Sequence, residues 1–294
     1  MKRSLLWAQA ALLAVSAPLA PAAAQIRASE RSTLSQTIDG TVITIDYARP
    51  RLRGRSPIFG KVVTWGEVWT PGANWATTLE TSKPITLDGH SVPKGKYSVW
   101  FVVRQSGAWT MVLDPNSQIF HMDPPDSSGS QIRFPVTAVT APTTDVLTWS
   151  FPGNRTNGAT VVFQWATSMV SLDVKVEPSY RITMTPDQAA PLVGRWSFAW
   201  TGKLGEKVDT ITMMLTYEKG SLYARYIPED PYMGKFVLIR IADGSLIPGL
   251  FEKGEIYEVI RDEVYEFKGP RDRPDSFEVR DDHDELVATG RRLP

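Results

Sequence analysis

Between Ser35 and Thr77 the chain crowds guanidinium groups, indoles, a carboxylate and an amide into one short region. Asp46, Tyr47, Arg49, Arg51, Arg53, Arg55, Trp65, Trp69, Asn74 and Trp75 all fall there. Arginine offers a planar fork that grips carboxylate or phosphate bidentately. The strand end at Asp46–Tyr47 and the arginines after it can therefore build a pocket for an anionic or hydroxylated ligand. Indoles beside the amide of Asn74 suit stacking on a flat ligand such as a sugar face, with Asn74 supplying both donor and acceptor. A hydrolytic alternative uses Asp46 as base or electrostatic partner, with Arg49 or Arg55 stabilising developing negative charge. The plain structural alternative has Asp46 paired with an arginine to lock the loop. In that alternative Tyr47 packs on a sheet and Trp65 and Trp69 lie in a core, where tryptophan usually sits. Residue types alone leave these possibilities open, and no nucleophile–base pair stands out in the segment.

Other chemistry is sparse. His90, His121 and His283 are scattered without ligand spacing, which argues against zinc. His121-Met122-Asp123 lies in a Pro-rich loop and could serve acid–base chemistry beside the Arg/Trp segment, although a surface loop is the default. Asp281-Asp282-His283-Asp284-Glu285 lacks the glycine and spacing of a calcium loop and reads as a solvated charge run. Ser91-Val92-Pro93-Lys94 has the spacing of a serine–lysine nucleophile but no partner motifs downstream. No Gly-rich loop follows a strand and opens a helix, so no nucleotide or other cofactor is expected.

The elements that must position these residues are strands. Val42–Tyr47 is rich in β-branched residues. Further runs at Ile85–Leu87, Lys96–Val103, Trp109–Leu113, Gln131–Val139, Val146–Phe151, Thr160–Trp165 and Val170–Val176 follow, separated by Gly, Pro, Asn and Asp. Short strands at this spacing predict an all-β sandwich. Pro-punctuated residues 179–191 read as a linker. Beyond it, runs from Trp196 to Arg280 with turns at Glu218-Lys219-Gly220 and Asp243-Gly244 predict a small antiparallel β-barrel-like domain over 192–294. Short helical turns are expected near Ile58–Val63 and Met184–Ala190.

Residues 1–24 have a basic start at Lys2 and Arg3, an apolar run from Leu5 to Leu19, and Ala22-Ala23-Ala24 before Gln25. That pattern predicts a signal peptide for export to the periplasm, leaving no transmembrane segment in the mature chain. The chain has no cysteine, so export would bring no disulfides. It carries 32 basic and 32 acidic side chains; losing Lys2 and Arg3 leaves a small acidic excess, which argues against nucleic acid as partner.

Ser35-Gln36-Thr37-Ile38, Val42–Tyr47 with Arg49-Pro50, Ile58-Phe59-Gly60, Trp65-Gly66, Val68-Trp69 and Gly72-Ala73-Asn74 stand in the order seen in a known family. On these blocks the chain, from Ser29 to Val176, resembles the bacterial domain-of-unknown-function family 2911. The resemblance implies an exported β-rich domain with no established activity. Where the family carries a basic and an acidic residue in this loop, the chain has Thr70 and Trp75, which shifts expectation from acid–base chemistry towards binding. Leu192–Trp196 and Tyr217–Leu222 are similar, more loosely, to lipocalin-like β-domains appended to exported hydrolases. Taken together, the sequence predicts an exported protein that binds a small polar ligand, carbohydrate or anionic, at the 46–77 loops. The alternatives are an Asp/Arg hydrolase, or an envelope protein that presents surfaces to a protein partner without a ligand site.

Overall fold

The computed structural model describes residues 28–201, 210–241 and 243–294; the expected signal peptide, residues 1–24, lies outside them. The fold is all-β, in two units with separate hydrophobic cores.

The first unit runs through β1 (Arg31–Ile38), β2 (Thr41–Ala48), β3 (Val68–Trp69), β4 (Thr78–Thr81), β5 (Ile85–Leu87), β6 (His90–Val92), β7 (Gly95–Val102), β8 (Trp109–Asp114), β9 (Ile132–Val136), β10 (Ala138–Arg155) and β11 (Gly158–Val176). One sheet has the order β1-β2-β4-β7-β8-β9, with β3 also on β7; the other has the order β10-β11-β5-β6. Period-2 alternation decides which side chains meet between them. Ile43, Ile45 and Tyr47 from β2 and Val99 and Phe101 from β7 face Trp149 of β10 and Phe163 of β11 in one core. Phe101 lies 5.5 Å from Phe163, centroid to centroid. The other face of the first sheet is also covered: Trp100, Val102 and Val112 pack with Ala76 into a smaller cluster beneath the loop before β4.

Two long strands, β10 and β11, replace the three shorter runs expected between Val146 and Val176. Their ladder shifts register at Thr140/Thr144, Thr144/Thr148 and Ser150/Gly153. Bulges of this kind bend a strand without ending it. Residues 58–63 form a short hydrogen-bonded turn where one is expected, closed by Val62 N–H donating to the Ile58 carbonyl at 2.8 Å.

After the sandwich, Tyr180 and Ile182 pack against the outside of the second unit. A short helix, α1 (Pro186–Ala189), carries a capping box in which Thr185 and Gln188 each receive the other's backbone N–H. The second unit comprises β12 (Gly194–Trp200), β13 (Ile211–Glu218), β14 (Ser221–Ile227), β15 (Lys235–Arg240), β16 (Leu246–Glu252), β17 (Glu255–Val259), β18 (Val264–Lys268), β19 (Ser276–Arg280) and β20 (Leu286–Arg291). Pairing follows β15-β14-β13-β12-β20-β19-β18-β16, and β16 pairs back to β15. Eight strands therefore close into a barrel, with β17 hairpinned on β16. Closure removes free sheet edges. The interior is filled by Trp196, Phe198, Tyr226, Phe236, Tyr265 and Phe277, all buried, as suits a barrel of this strand number. No helix among the described residues is long and apolar enough to cross a membrane.

The units meet at a polar seam. Asp39, in the β1–β2 turn, accepts hydrogen bonds from the Ser179 backbone N–H and hydroxyl. Arg261 of the barrel also reaches Asp39, at 3.7 Å. Thr156, between β10 and β11, donates its hydroxyl to the Ile256 carbonyl.

Candidate functional site

The Arg/Trp segment is organised by a ridge of two loops on the sandwich. Residues 70–77 and 115–121 pair there as a short antiparallel ladder. Ala76 N–H donates to the Ile119 carbonyl at 2.9 Å, His121 N–H donates to the Asn74 carbonyl at 2.7 Å, and Trp75 bridges Phe120. Thr70 is the ridge's internal lock. Its buried hydroxyl donates to the Val99 carbonyl (2.8 Å) and accepts from Thr77 N–H (3.0 Å). A Cβ on Gly72 would fall 2.6 Å from Thr77 Oγ1, so the tight loop requires glycine here. Thr70, one of the two departures from the family's loop, thus serves packing.

On one flank of the ridge lies a cleft of about 860 Å³ that takes in Arg51, Arg53, Arg55, Trp69, Trp165 and His121. Its wall is the loop after β2, anchored where Arg51 bridges Val146 and Leu52 N–H donates to the Asp145 carbonyl at 2.9 Å. Arg51 pairs with Asp145 (2.9 Å). Arg53 donates to the Ala28 carbonyl at 2.9 Å. Arg55 donates to the carbonyls of Leu52 (3.0 Å) and Arg51 (2.7 Å). Neutral carbonyls orient these guanidinium groups without cancelling their charge, and neither Arg53 nor Arg55 forms an ion pair among the described residues. Beneath them the Trp69 and Trp165 rings stack at 5.8 Å and 12°, with Arg55 6.0 Å above the Trp165 ring. The Trp165 indole N–H is buried without a partner. Glu67, also on this cleft, accepts the Thr64 N–H at 2.8 Å.

His121 enters the same cleft from the opposite loop. Its Nδ1 lies 2.8 Å from the Asn74 carbonyl. A carbonyl only accepts, so Nδ1 carries a proton, and in the neutral ring Nε2 is then the acceptor. Asn74 accordingly acts mainly through its backbone, held in the left-handed region at φ 62°. Its side-chain amide makes a long contact to the Ser29 carbonyl, 3.4 Å.

The predicted residues are thus divided. Arg55 and Trp69 share the arginine-lined cleft. Asp46 and Trp75 lie on the other flank, in a second cleft of about 400 Å³. There Asp46 is held by Arg31 and by the Thr33 hydroxyl (2.9 Å), while Arg31 also donates to the Trp75 carbonyl at 3.2 Å. Burial lowers the Arg31 pKa from its ordinary value. Asn74 sits between the flanks. Tyr47 belongs to neither: it is a core residue whose hydroxyl accepts the Trp149 N–H at 3.2 Å. Arg49 is half-buried against β10, donating to the Leu147 carbonyl and the Thr148 hydroxyl at 3.4 Å each. Trp65 stacks on Phe59 at 6.5 Å. Arg31 and Trp165 escape a reading of residues 35–77 because they come from strands outside it. The polar face of β1, where Arg31 and Thr33 alternate, is the signal that points to Arg31.

Asp281, Asp282 and His283 cluster at the surface, where carboxylates and an imidazole could reach one ion, but the run is a solvated turn between β19 and β20. No curated protein and no solved structure matches the chain. Residues 29–174, which cover nearly all of the sandwich and of both clefts, match the family model described as "Protein of unknown function (DUF2911)". By that match, the sandwich unit of this chain belongs to the DUF2911 family.

Proposed function

We propose that the sandwich is a binding domain for a small anionic molecule with a flat apolar portion, in a protein exported to the periplasm. The observation that carries the ligand class is the pairing of Arg53 and Arg55, which lack acidic partners, with the stacked Trp69 and Trp165 in one cleft. Charge-assisted hydrogen bonds to the fork would hold the anion, and the half-buried Trp69, backed by the buried Trp165, would take the flat part. A cleft of this size lies within the range of small-molecule sites, roughly 300–1,000 Å³. Export is supported by the composition of residues 1–24.

Asp46 is a poor candidate for a hydrolytic base at the arginine cleft, since it lies on the far side of the ridge with Arg31 paired to its carboxylate. Were the arginine cleft to carry turnover, His121 Nε2 is the group placed to take a proton. The proposal is tested by calorimetric titration of the protein with benzoate, phenyl phosphate and inorganic phosphate. Saturable binding of an aromatic anion is expected, weakened by salt. It should fall about tenfold or more in Arg53→Ala and Arg55→Ala, as loss of a charged hydrogen bond implies. Absence of saturable heat for all three probes at millimolar concentration counts against it.

A further inference from the structure

The second cleft, on the far flank of the ridge, has a different chemistry. Its wall is Trp75, at 52% exposure the most open tryptophan among the described residues. The ring is braced by a perpendicular contact with Phe120, centroids 5.7 Å apart at 86°, and by the backbone bridge between the same two residues. Half of a large rigid apolar side chain is thus held open to solvent, at the cost of leaving its area unburied. Around it stand Asp46, Arg31, Lys96, Ser117 and Gln118.

These polar groups are balanced in charge. Arg31 is bound to Asp46, and Lys96 lies 3.3 Å from Glu80. The cleft therefore does not select an anion as the arginine cleft does. It offers acceptors and donors of several types instead. Asp46 Oδ1 accepts two N–H bonds from the Arg31 guanidinium, while Oδ2, bound by the Thr33 hydroxyl, keeps a lone pair for another donor. The Gln118 backbone N–H donates to Asn116, but no hydrogen bond engages its side-chain amide or the Ser117 hydroxyl among the described residues. An open indole face ringed by a carboxylate, an amide, a hydroxyl and an ammonium matches a ring that is apolar on its C–H face and polar at its rim. The electron-rich indole face attracts polarised C–H bonds, and hydroxyls can both donate to Asp46 and accept from Lys96 or Gln118.

We infer that this cleft is a carbohydrate subsite, in which a pyranose ring stacks on Trp75 with its hydroxyls on Asp46, Lys96 and Gln118. The inference does not rest on the anion site, because the two clefts share no lining residue. It also gives Trp75 a role: it provides the platform on this flank.

The test is a titration of the tryptophan-labelled protein with methyl glucoside, methyl galactoside, N-acetylglucosamine and cellobiose, following indole N–H resonances by NMR. At least one saccharide is expected to shift the Trp75 signal saturably. Calorimetry with that saccharide should show binding lost in Trp75→Ala, partly kept in Trp75→Phe, and weakened ~2- to 10-fold in Gln118→Ala. Arg55→Ala should bind it unchanged, which separates this site from the anion cleft. The inference is overturned if none of the four shifts the Trp75 signal at tens of millimolar, or if saccharide binding survives in Trp75→Ala.

Discussion

Thr70 offers the sharpest test of how the ridge is held. Thr70→Val keeps the shape of the side chain and removes only its hydroxyl. Two hydrogen bonds disappear, to the Val99 carbonyl and from the Thr77 N–H, at a site with no solvent access. Each is worth about 1 kcal/mol net, and a donor left buried and unpaired costs a further ~1–3 kcal/mol. The expected destabilisation is therefore about 3–5 kcal/mol. For a unit of roughly 150 residues this lowers the melting temperature by about 6–20 °C. Thr70→Ser retains the hydroxyl and removes one methyl, so its cost should stay near ~1 kcal/mol. Urea denaturation of both variants, followed by tryptophan fluorescence, measures the difference. If the valine and serine variants agree within about 0.5 kcal/mol, the hydroxyl is not what fixes the ridge and the argument fails.

Three further outcomes follow from other contacts. Asp46→Ala should cost ~1–2 kcal/mol, between the values for exposed and buried pairs, because Arg31 loses its carboxylate while half-buried; Asp46→Asn should cost less, and a double-mutant cycle with Arg31→Ala should show the coupling. Glu263, on the short connection before β18, has a buried Oε2 without a partner, and burial followed by the charge of Asp262 raises its pKa above the ordinary 4.5. A raised folded-state pKa means stability is full below the ordinary value and declines as pH rises through the folded one. Glu263→Gln should remove that decline and stabilise the barrel by ~1 kcal/mol at neutral pH, a low figure because the side chain is partly exposed; denaturation midpoints of both proteins across the acid-to-neutral range decide it. Asp39→Ala removes the acceptor that holds Ser179 and faces Arg261, so limited trypsin digestion should cut at Arg181 faster than in the parent chain; equal rates would show that Tyr180 and Ile182 alone hold the segment down.

Much of the β architecture is legible because one face of most strands is buried. Val42–Tyr47 alternates with β-branched residues, and the Glu218-Lys219-Gly220 turn joins β13 to β14 where turn chemistry places it. The strands that escape have the opposite character. β1 reads RSTLSQTI and leaves its polar alternation half-exposed at a sheet edge. β16 contains Pro248 and Gly249, which look like breakers. Yet Gly249 is there because Ile239 and Val237 side chains occupy the space a Cβ would need, at 2.8 and 3.0 Å. The site is less legible than the fold for a related reason. Arginine spacing marks the loop after β2, but which arginine meets which acid depends on register. Thr33 sits opposite Asp46 in the β1–β2 ladder, and Arg31 lies two residues along the same face. The approach of His121 to Asn74 spans 47 residues and appears only when the two loops pair.

The distribution of aromatic residues between the units bears on where any ligand can go. In the barrel, aromatic rings converge inward: Tyr226 and Tyr265 are buried and share a hydrogen bond at 3.1 Å, and both have raised pKa values mainly because of burial. Trp196 and Phe277 fill the space beside them, 5.8 Å apart. A barrel packed in this way spends its aromatic area on its own core. In the sandwich, Trp165 is buried in the core, Trp69 stacks on it half-buried at the edge of a cleft, and Trp75 stands open on the ridge. Aromatic surface left unburied weakens a fold unless another contact uses it. The sandwich leaves that surface chiefly at Trp75, beside a charge-balanced polar rim, and in smaller part at the half-buried Trp69 beside the arginines. The proposed ligand recognition therefore falls on the ridge, whose 70–77 loop is held by the hydroxyls of Thr70 and Thr77.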